Sequence, residues 1–334
     1  MEAAMQWGIA LILQIQAHRT PMLDDFFRQI TTLGSTAHMF IVPFLIWSLS
    51  YRFGSRLLIT LLLSTFVNFA LKDLWSQPRP FDLDSRIGPD REIGYGIPSG
   101  HAQHTMVEWG LIANWIANPW FTALAVILIV LIGLSRIYLG VHFPTDVLVG
   151  WALAAPILLL HFRYAERIAT RLSALPLGVQ IAAVASVSLL FVLIYALALD
   201  DHFVIAGAGL FFGAGAGIAL GRRCLVAPEG GTWWQRLLRY VLGIAVLLTW
   251  ISPDVSAMYV MAIAAVQVGV YGWWRGVLQP TVLRDHWRFF LIIGVLIGVS
   301  THLGFVAVGY IDAGTASMLN KAVSYTHLRA HEPV

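Results

Sequence analysis

Apolar runs of about 18 residues or more recur along the whole chain, each long enough to cross the hydrocarbon core of a bilayer. Charged residues make up only 12% of the 334 positions, about half the share found in a soluble domain. A large soluble helical enzyme would need polar helix faces, and these are absent. The expected fold is an all-α polytopic membrane protein.

Ten spans are expected, near residues 34–50, 55–74, 99–117, 120–141, 144–162, 178–199, 203–220, 237–252, 255–274 and 289–309. Residues 5–16 are apolar but too short to span. With Leu23, Phe26, Phe27 and Ile30 following among charges, residues 1–33 read as interfacial helices; a short first span at 5–16 is the alternative. No basic stretch precedes 5–16, so the N-terminus does not read as a cleaved signal peptide.

The arginines are unevenly placed. Arg52 and Arg56, then Arg163, Arg167 and Arg171, then Arg222, Arg223, Arg236 and Arg239, then Arg275, Arg284 and Arg288 fall in loops that share one side if the spans alternate. The short loops opposite carry Asp200, Asp201 and Asp254. By the positive-inside rule the arginine-rich side is cytoplasmic, in what reads as a bacterial cell membrane. The basic stretch 163–177 is then a cytoplasmic linker. It separates a bundle of about five spans (34–162) from a further transmembrane region of about five (178–310).

The net charge of +3 gives no ground for a nucleic-acid partner. The single cysteine, Cys224, excludes an internal disulfide and any cysteine-based metal cluster. Gly209, Gly213, Gly217 and Gly221, and again Gly294 and Gly298, recur at a spacing that lets helices approach closely in lipid. Residues 323–334 read as a non-native tail, because Ser324 to Glu332 resembles translated sequencing-adaptor sequence.

Three motifs carry the chemistry. Lys72 stands six residues before Arg79-Pro80. Pro98-Ser99-Gly100-His101 opens an apolar helix. Ser135-Arg136 is followed by His142 and, after three residues, Asp146. The charge-derived topology puts all three at the outer face. Imidazole is a good nucleophile near neutral pH and forms a phosphoramidate that water can cleave. Asp146 is placed to orient His142 and to stabilise its cation. Arg79 and Arg136 can grip phosphate oxygens with planar forks, and Lys72 adds a point charge. Ser99 and the amides of Ser99, Gly100 and His101 sit at a helix start, where free N–H groups favour an anion. His101 can protonate a leaving oxygen. Singly, each residue has a plainer reading, as a hydrogen-bonded surface histidine or a snorkelling arginine; together, in order and on one face, they point to phosphoryl transfer.

These motifs resemble the signatures of the type-2 phosphatidic acid phosphatase superfamily, and every signature position is matched over roughly residues 20–162. The resemblance implies a metal-independent phosphatase without a cofactor. His142 would be the nucleophile, Asp146 its partner and His101 the acid. Lys72, Arg79, Ser99, Gly100 and Arg136 would bind phosphate. His104 and Glu108 share the His101 face of the same helix. An acid within a membrane helix suggests a function, here a proton path or a headgroup contact. A hydrogen-bonded pair supporting the site is the plainer reading, and a metal site lacks a third ligand.

The expected substrate is a lipid phosphate or isoprenyl diphosphate in the bilayer, such as phosphatidic acid, phosphatidylglycerol phosphate or undecaprenyl diphosphate. A sugar phosphate is the smaller-substrate alternative. Phosphotransfer to an acceptor lipid shares the same first half-reaction. A lipid transporter or scramblase would place the work in residues 178–310, where intramembrane charge is nearly absent. The sequence assigns no oligomeric state.

Overall fold

A computed structural model describes residues 2–198, 203–224 and 230–249. Among them all regular structure is helical. Two short helices come first, α1 (Glu2–Gln16) and α2 (Pro21–Thr32). Then α3 (His38–Phe44) runs on through a π turn at Leu45–Leu49, followed by α4 (Tyr51–Trp75) and a single turn, α5 (Pro80–Leu83). After a loop come α6 (Gly100–Ile116), α7 (Pro119–Tyr138) and α8 (Pro144–Leu160). Residues 161–165 form a π turn that carries α8 on into α9 (Glu166–Ala174), so most of the basic stretch 163–177 is helix. The last described elements are α10 (Leu177–Ala198), α11 (Phe203–Cys224) and α12 (Trp233–Thr249). The spans expected at 255–274 and 289–309, Gly294, Gly298 and the tail 323–334 lie outside the described residues.

Four of the described segments are long and apolar enough to cross a membrane: Tyr51–Leu83, Pro119–Tyr138, Pro144–Ala174 and Leu177–Ile194. This is a multi-pass membrane protein. The segment expected at 99–117 forms a helix of 17 residues whose first turn belongs to the site. It buries Gln103, Thr105 and Glu108 as well as Val107 and Leu111. That polar content is why it reads less like a lipid-facing span than its neighbours do.

Local chemistry sets the helix ends that matter. Ser50 caps α4 by accepting the Phe53 N–H at 3.2 Å. The same helix stops at Ser76, which takes a left-handed conformation with φ of 45° and turns the chain back toward Arg79. Asn118 caps α7, with Pro119 in its first turn. Gly140, at φ of 75°, bends the chain from α7 into His142. Pro144 then starts α8, and the Asp146 carboxylate accepts the Phe143 N–H at 2.9 Å.

The packing described here lies within the unit that ends at Gly243. Val42, Phe53, Leu57, Leu111 and Ala154 join α3, α4, α6 and α8 in one apolar core. Ile12, Ile87, Ala102, Phe143 and Val147 make a second, close under the site. Through Ile12 the first helix closes this end of the bundle. The α10–α11 pair leans on α4, with Phe66 and Phe191 stacked at 3.7 Å and the Tyr51 hydroxyl donating to the Ile218 carbonyl at 3.1 Å. The glycine stripe does only part of what its spacing suggests. Gly221 meets Tyr51, whereas nothing described stands within 4 Å of a Cβ at Gly209, Gly213 or Gly217; the close contact falls instead at Gly215, against Val184.

One close approach sets the site. A Cβ on Gly150 would stand 2.7 Å from the Ser99 carbonyl oxygen and 3.1 Å from the Ala102 Cβ. Only glycine lets α8 lie this near the start of α6. Gly150→Ala adds about 1 kcal/mol of helix propensity but forces two backbones apart, and overpacking of this kind costs about 1–3 kcal/mol. We expect the thermal midpoint in detergent to fall by a few degrees; a rise would mean that propensity wins and the helices have room.

Candidate active site

The three motifs converge where several helix ends meet. Lys72 lies in the last turn of α4, Arg79 just before α5, Ser99 to His101 at the start of α6, Arg136 in the last turn of α7, and His142 and Asp146 at the start of α8. His142 and the charged residues are drawn in from water: His142 is 1% exposed, Asp146 0%, Arg136 2%, Arg79 4% and Lys72 9%.

Asp146 is the fixed point. Its Oδ2 lies 3.2 Å from His142 Nδ1 and accepts the Phe143 amide. Its Oδ1 accepts from Gln77 Nε2 at 2.9 Å. Its backbone carbonyl accepts the Ser99 N–H at 3.0 Å. A carboxylate at Nδ1 requires the proton there, which leaves a lone pair on Nε2. Arg79 Nη1 faces that lone pair at 3.2 Å. His142 is thus presented as a neutral, oriented base. Burial first, and then the charges of Lys72, Arg79 and Arg136, hold its pKa well below the ordinary 6.5.

Lys72 and Arg79 both donate to backbone carbonyls of one loop, and Arg79 Nη1 donates also to Val141 O at 2.9 Å. Lys72 Nζ donates to Tyr95 O at 2.6 Å and Gly96 O at 2.9 Å. Arg79 donates from Nε to Gly94 O at 2.8 Å and from Nη2 to Ile93 O at 3.3 Å. Arg136 Nη1 donates to Thr31 Oγ1 on α2 at 2.6 Å. At the head of α6 the Ser99 hydroxyl caps the helix through the Ala102 N–H, and its own amide is committed to Asp146. Gly100 and His101 follow in the first turn of α6. Ser135 is turned away, its hydroxyl donating to Ile132 O at 2.6 Å within its own helix.

His104 and Glu108 do not pair with each other. Glu108, fully buried, pairs with Nδ1 of His38 on α3, whose Nε2 lies 3.0 Å from Gly34 O. His104 Nε2 has no hydrogen-bond partner among the described residues. A shared helix face brought the two near in sequence terms, but the ion pair forms across helices. The sequence reading also passed over Gln77, Thr31, Glu92 and the Asn68–Gln103 link, in which Asn68 Nδ2 donates to Gln103 Oε1 at 2.9 Å and pins α6 to α4. Only Gln77 carried a sequence signal, lying two residues before the motif arginine.

Residues 53–170, which contain every motif residue, match the PAP2 superfamily, and residues 205–286 match the PAP2 superfamily phosphatase transmembrane extension. Phosphatidylglycerophosphatase B of Bacillus subtilis is 30% identical over 166 residues, covering 45% of this chain and 79% of that protein. The chain belongs to the PAP2 superfamily. Lipid phosphate phosphatase delta of Arabidopsis thaliana is 27% identical over 178 residues, 48% of this chain and 43% of that protein. Undecaprenyl-diphosphatase of Sulfolobus acidocaldarius is 32% identical over 114 residues, 33% of this chain and 54% of that protein. The PAP2 chain thus spans about half the length of these last two relatives.

The neutral state of His142 is open to direct test. With histidine 13C-labelled at Cε1, the cross-peak lost in His142→Gln should keep its neutral shift from about pH 8 down to about pH 6. A midpoint at or above 6.5 would mean that burial and the three cations do not act on this ring.

Proposed function

We propose that this PAP2 protein hydrolyses the terminal phosphate of a membrane lipid through a phosphohistidine on His142. The observation that carries the reading is the orientation of His142: Nδ1 against Asp146 and the Nε2 lone pair toward the guanidinium of Arg79. A phosphoryl group gripped by Arg79 and Arg136 would present its phosphorus to that lone pair.

In the first step Nε2 attacks phosphorus in line as the bond to the lipid oxygen breaks, and His101, protonated against the pull of burial and Arg136 by the charge of the bound phosphate, gives that proton to the leaving oxygen. In the second step water attacks the phosphohistidine, the P–N bond breaks, and His101 takes the water's proton. Asp146 stabilises the imidazolium form between them. Lys72, Arg79, Arg136 and the amides opening α6 offset the charge on the equatorial oxygens. No step needs a metal.

The substrate class follows from where the site lies. Arg56 and Lys72 stand on one unbroken helix, 16 residues and about 24 Å apart. The site is therefore at the end of α4 opposite the arginine-rich loops, which supports an extracytoplasmic site by the positive-inside rule. At that depth a lipid headgroup can reach the cations while its chains stay in the bilayer. Phosphatidic acid, phosphatidylglycerol phosphate and undecaprenyl diphosphate are the candidates.

The test is free-phosphate release in detergent, with EDTA present, from these three lipids and from glucose 6-phosphate. The wild type should release phosphate from at least one lipid, and His142→Ala should lower the rate by about a thousandfold or more. Asp146→Asn should lower kcat with little change in KM, since it disturbs the tautomer rather than the grip on phosphate. Release from glucose 6-phosphate alone would overturn the lipid assignment, and a fully active His142→Ala would overturn the mechanism.

A further inference from the structure

The two arginines that would hold phosphate already hold an anion. Glu92, in the loop between α5 and α6, places Oε2 3.0 Å from Arg79 Nη1 and pairs through Oε1 with Arg136 Nη2. Arg79 Nη1 is also the atom that faces His142 Nε2 at 3.2 Å. The carboxylate therefore bridges the two guanidinium groups and shares with His142 the Arg79 nitrogen that faces the nucleophile, as two oxygens of a phosphoryl group would. The other Arg79 donors go to Ile93 and Gly94 carbonyls, and Arg136 Nη1 goes to Thr31. Glu92 itself keeps a side-chain exposure of 31%, against 4% and 2% for its two partners, so it can swing to water while they cannot.

Two guanidinium groups this deeply buried need a counter-charge, because an unpaired buried ion is costly. Glu92 supplies it. An arriving phosphate must displace it, and the contest turns on charge and on oxygen count. A phosphomonoester or terminal diphosphate brings about two charges and three free oxygens. A phosphodiester brings one charge, no more than the carboxylate. Arg136 Nε is buried and has no hydrogen-bond partner among the described residues, so a third oxygen has a donor there that Glu92 leaves unused. Phosphodiester headgroups are the bulk of the surrounding bilayer, so a site at its edge needs some means of ignoring them.

We infer that Glu92 is an internal competitor for the phosphate site, which sets a threshold that phosphomonoesters and terminal diphosphates pass and phosphodiesters do not. The inference rests on the reading of Arg79 and Arg136 as phosphate-binding residues. It makes Glu92 a specificity-determining residue.

The experiment is binding, read by calorimetry on the full chain in detergent near neutral pH, so that turnover is not needed. The probes are inorganic phosphate and dioctanoyl phosphatidylglycerol. Glu92→Gln keeps the shape and removes the charge, and Glu92→Ala removes both. Phosphate should bind both variants about tenfold more tightly than the wild type, the equivalent of about 1.4 kcal/mol. Dioctanoyl phosphatidylglycerol should compete with phosphate in the variants and not in the wild type. Should either variant lose the wild-type gel-filtration profile, Glu92→Asp, too short to bridge both guanidinium groups, takes its place with a gain in the same direction. Unchanged or weaker phosphate binding in folded variants would overturn the inference and make Glu92 a support for the arginines. Phosphate binding to neither wild type nor variants would instead sink the phosphate-site reading on which it rests.

Discussion

A single buried carboxylate ties the three motifs together. Asp146 reaches Gln77 beside the first motif and His142 within the third through its side chain, and Ser99 of the second through its backbone carbonyl. An ion out of water is tolerated only when its lone pairs are filled by well-placed donors. Here Gln77, His142 and the Phe143 amide fill them. Meeting that demand fixes the imidazole. It also requires α8 to press against the start of α6, an approach that the missing side chain of Gly150 permits.

Around this point the cations face the opposite problem. Lys72, Arg79 and Arg136 repel one another and are almost hidden from water. The loop after α5 answers with carbonyl oxygens of four successive residues, Ile93 to Gly96, each accepting from Lys72 or Arg79. Carbonyl dipoles hold a cation in place without cancelling it. The positive charge therefore stays available to an anion, and Glu92 pairs with both arginines. A loop with no motif of its own thus shapes the site as strongly as the motifs do.

Among the described residues, α10 and α11 meet α4, the helix whose last turn carries Lys72. Phe191 stacks on Phe66, and Tyr51 reaches the Ile218 carbonyl. Since α4 also carries Lys72 and Asn68, bracing it steadies the wall of the site from behind. Aromatic stacking suits this position, because in lipid the pairing of helices rests on close packing rather than on escape from water.

Much of this was legible in the chain itself. Apolar run length determined the helical membrane architecture, since the bilayer sets the length a span must have. The spacing within the third motif made the pairing of His142 with Asp146 plausible, because the two fall just before and in the first turn of a helix that Pro144 starts. What the sequence could not supply were the contacts made across helices. Glu108 shares a face with His104 yet pairs with His38, 70 positions away. Gly215, outside the regular stripe, makes the close helix contact at Val184. Gln77, Thr31 and Glu92 look like ordinary polar residues until the fold sets them beside buried charge. Periodicity along one helix reports only which side chains share a face; which partner each face meets depends on the crossing of helices distant in sequence, and only the tertiary structure decides it.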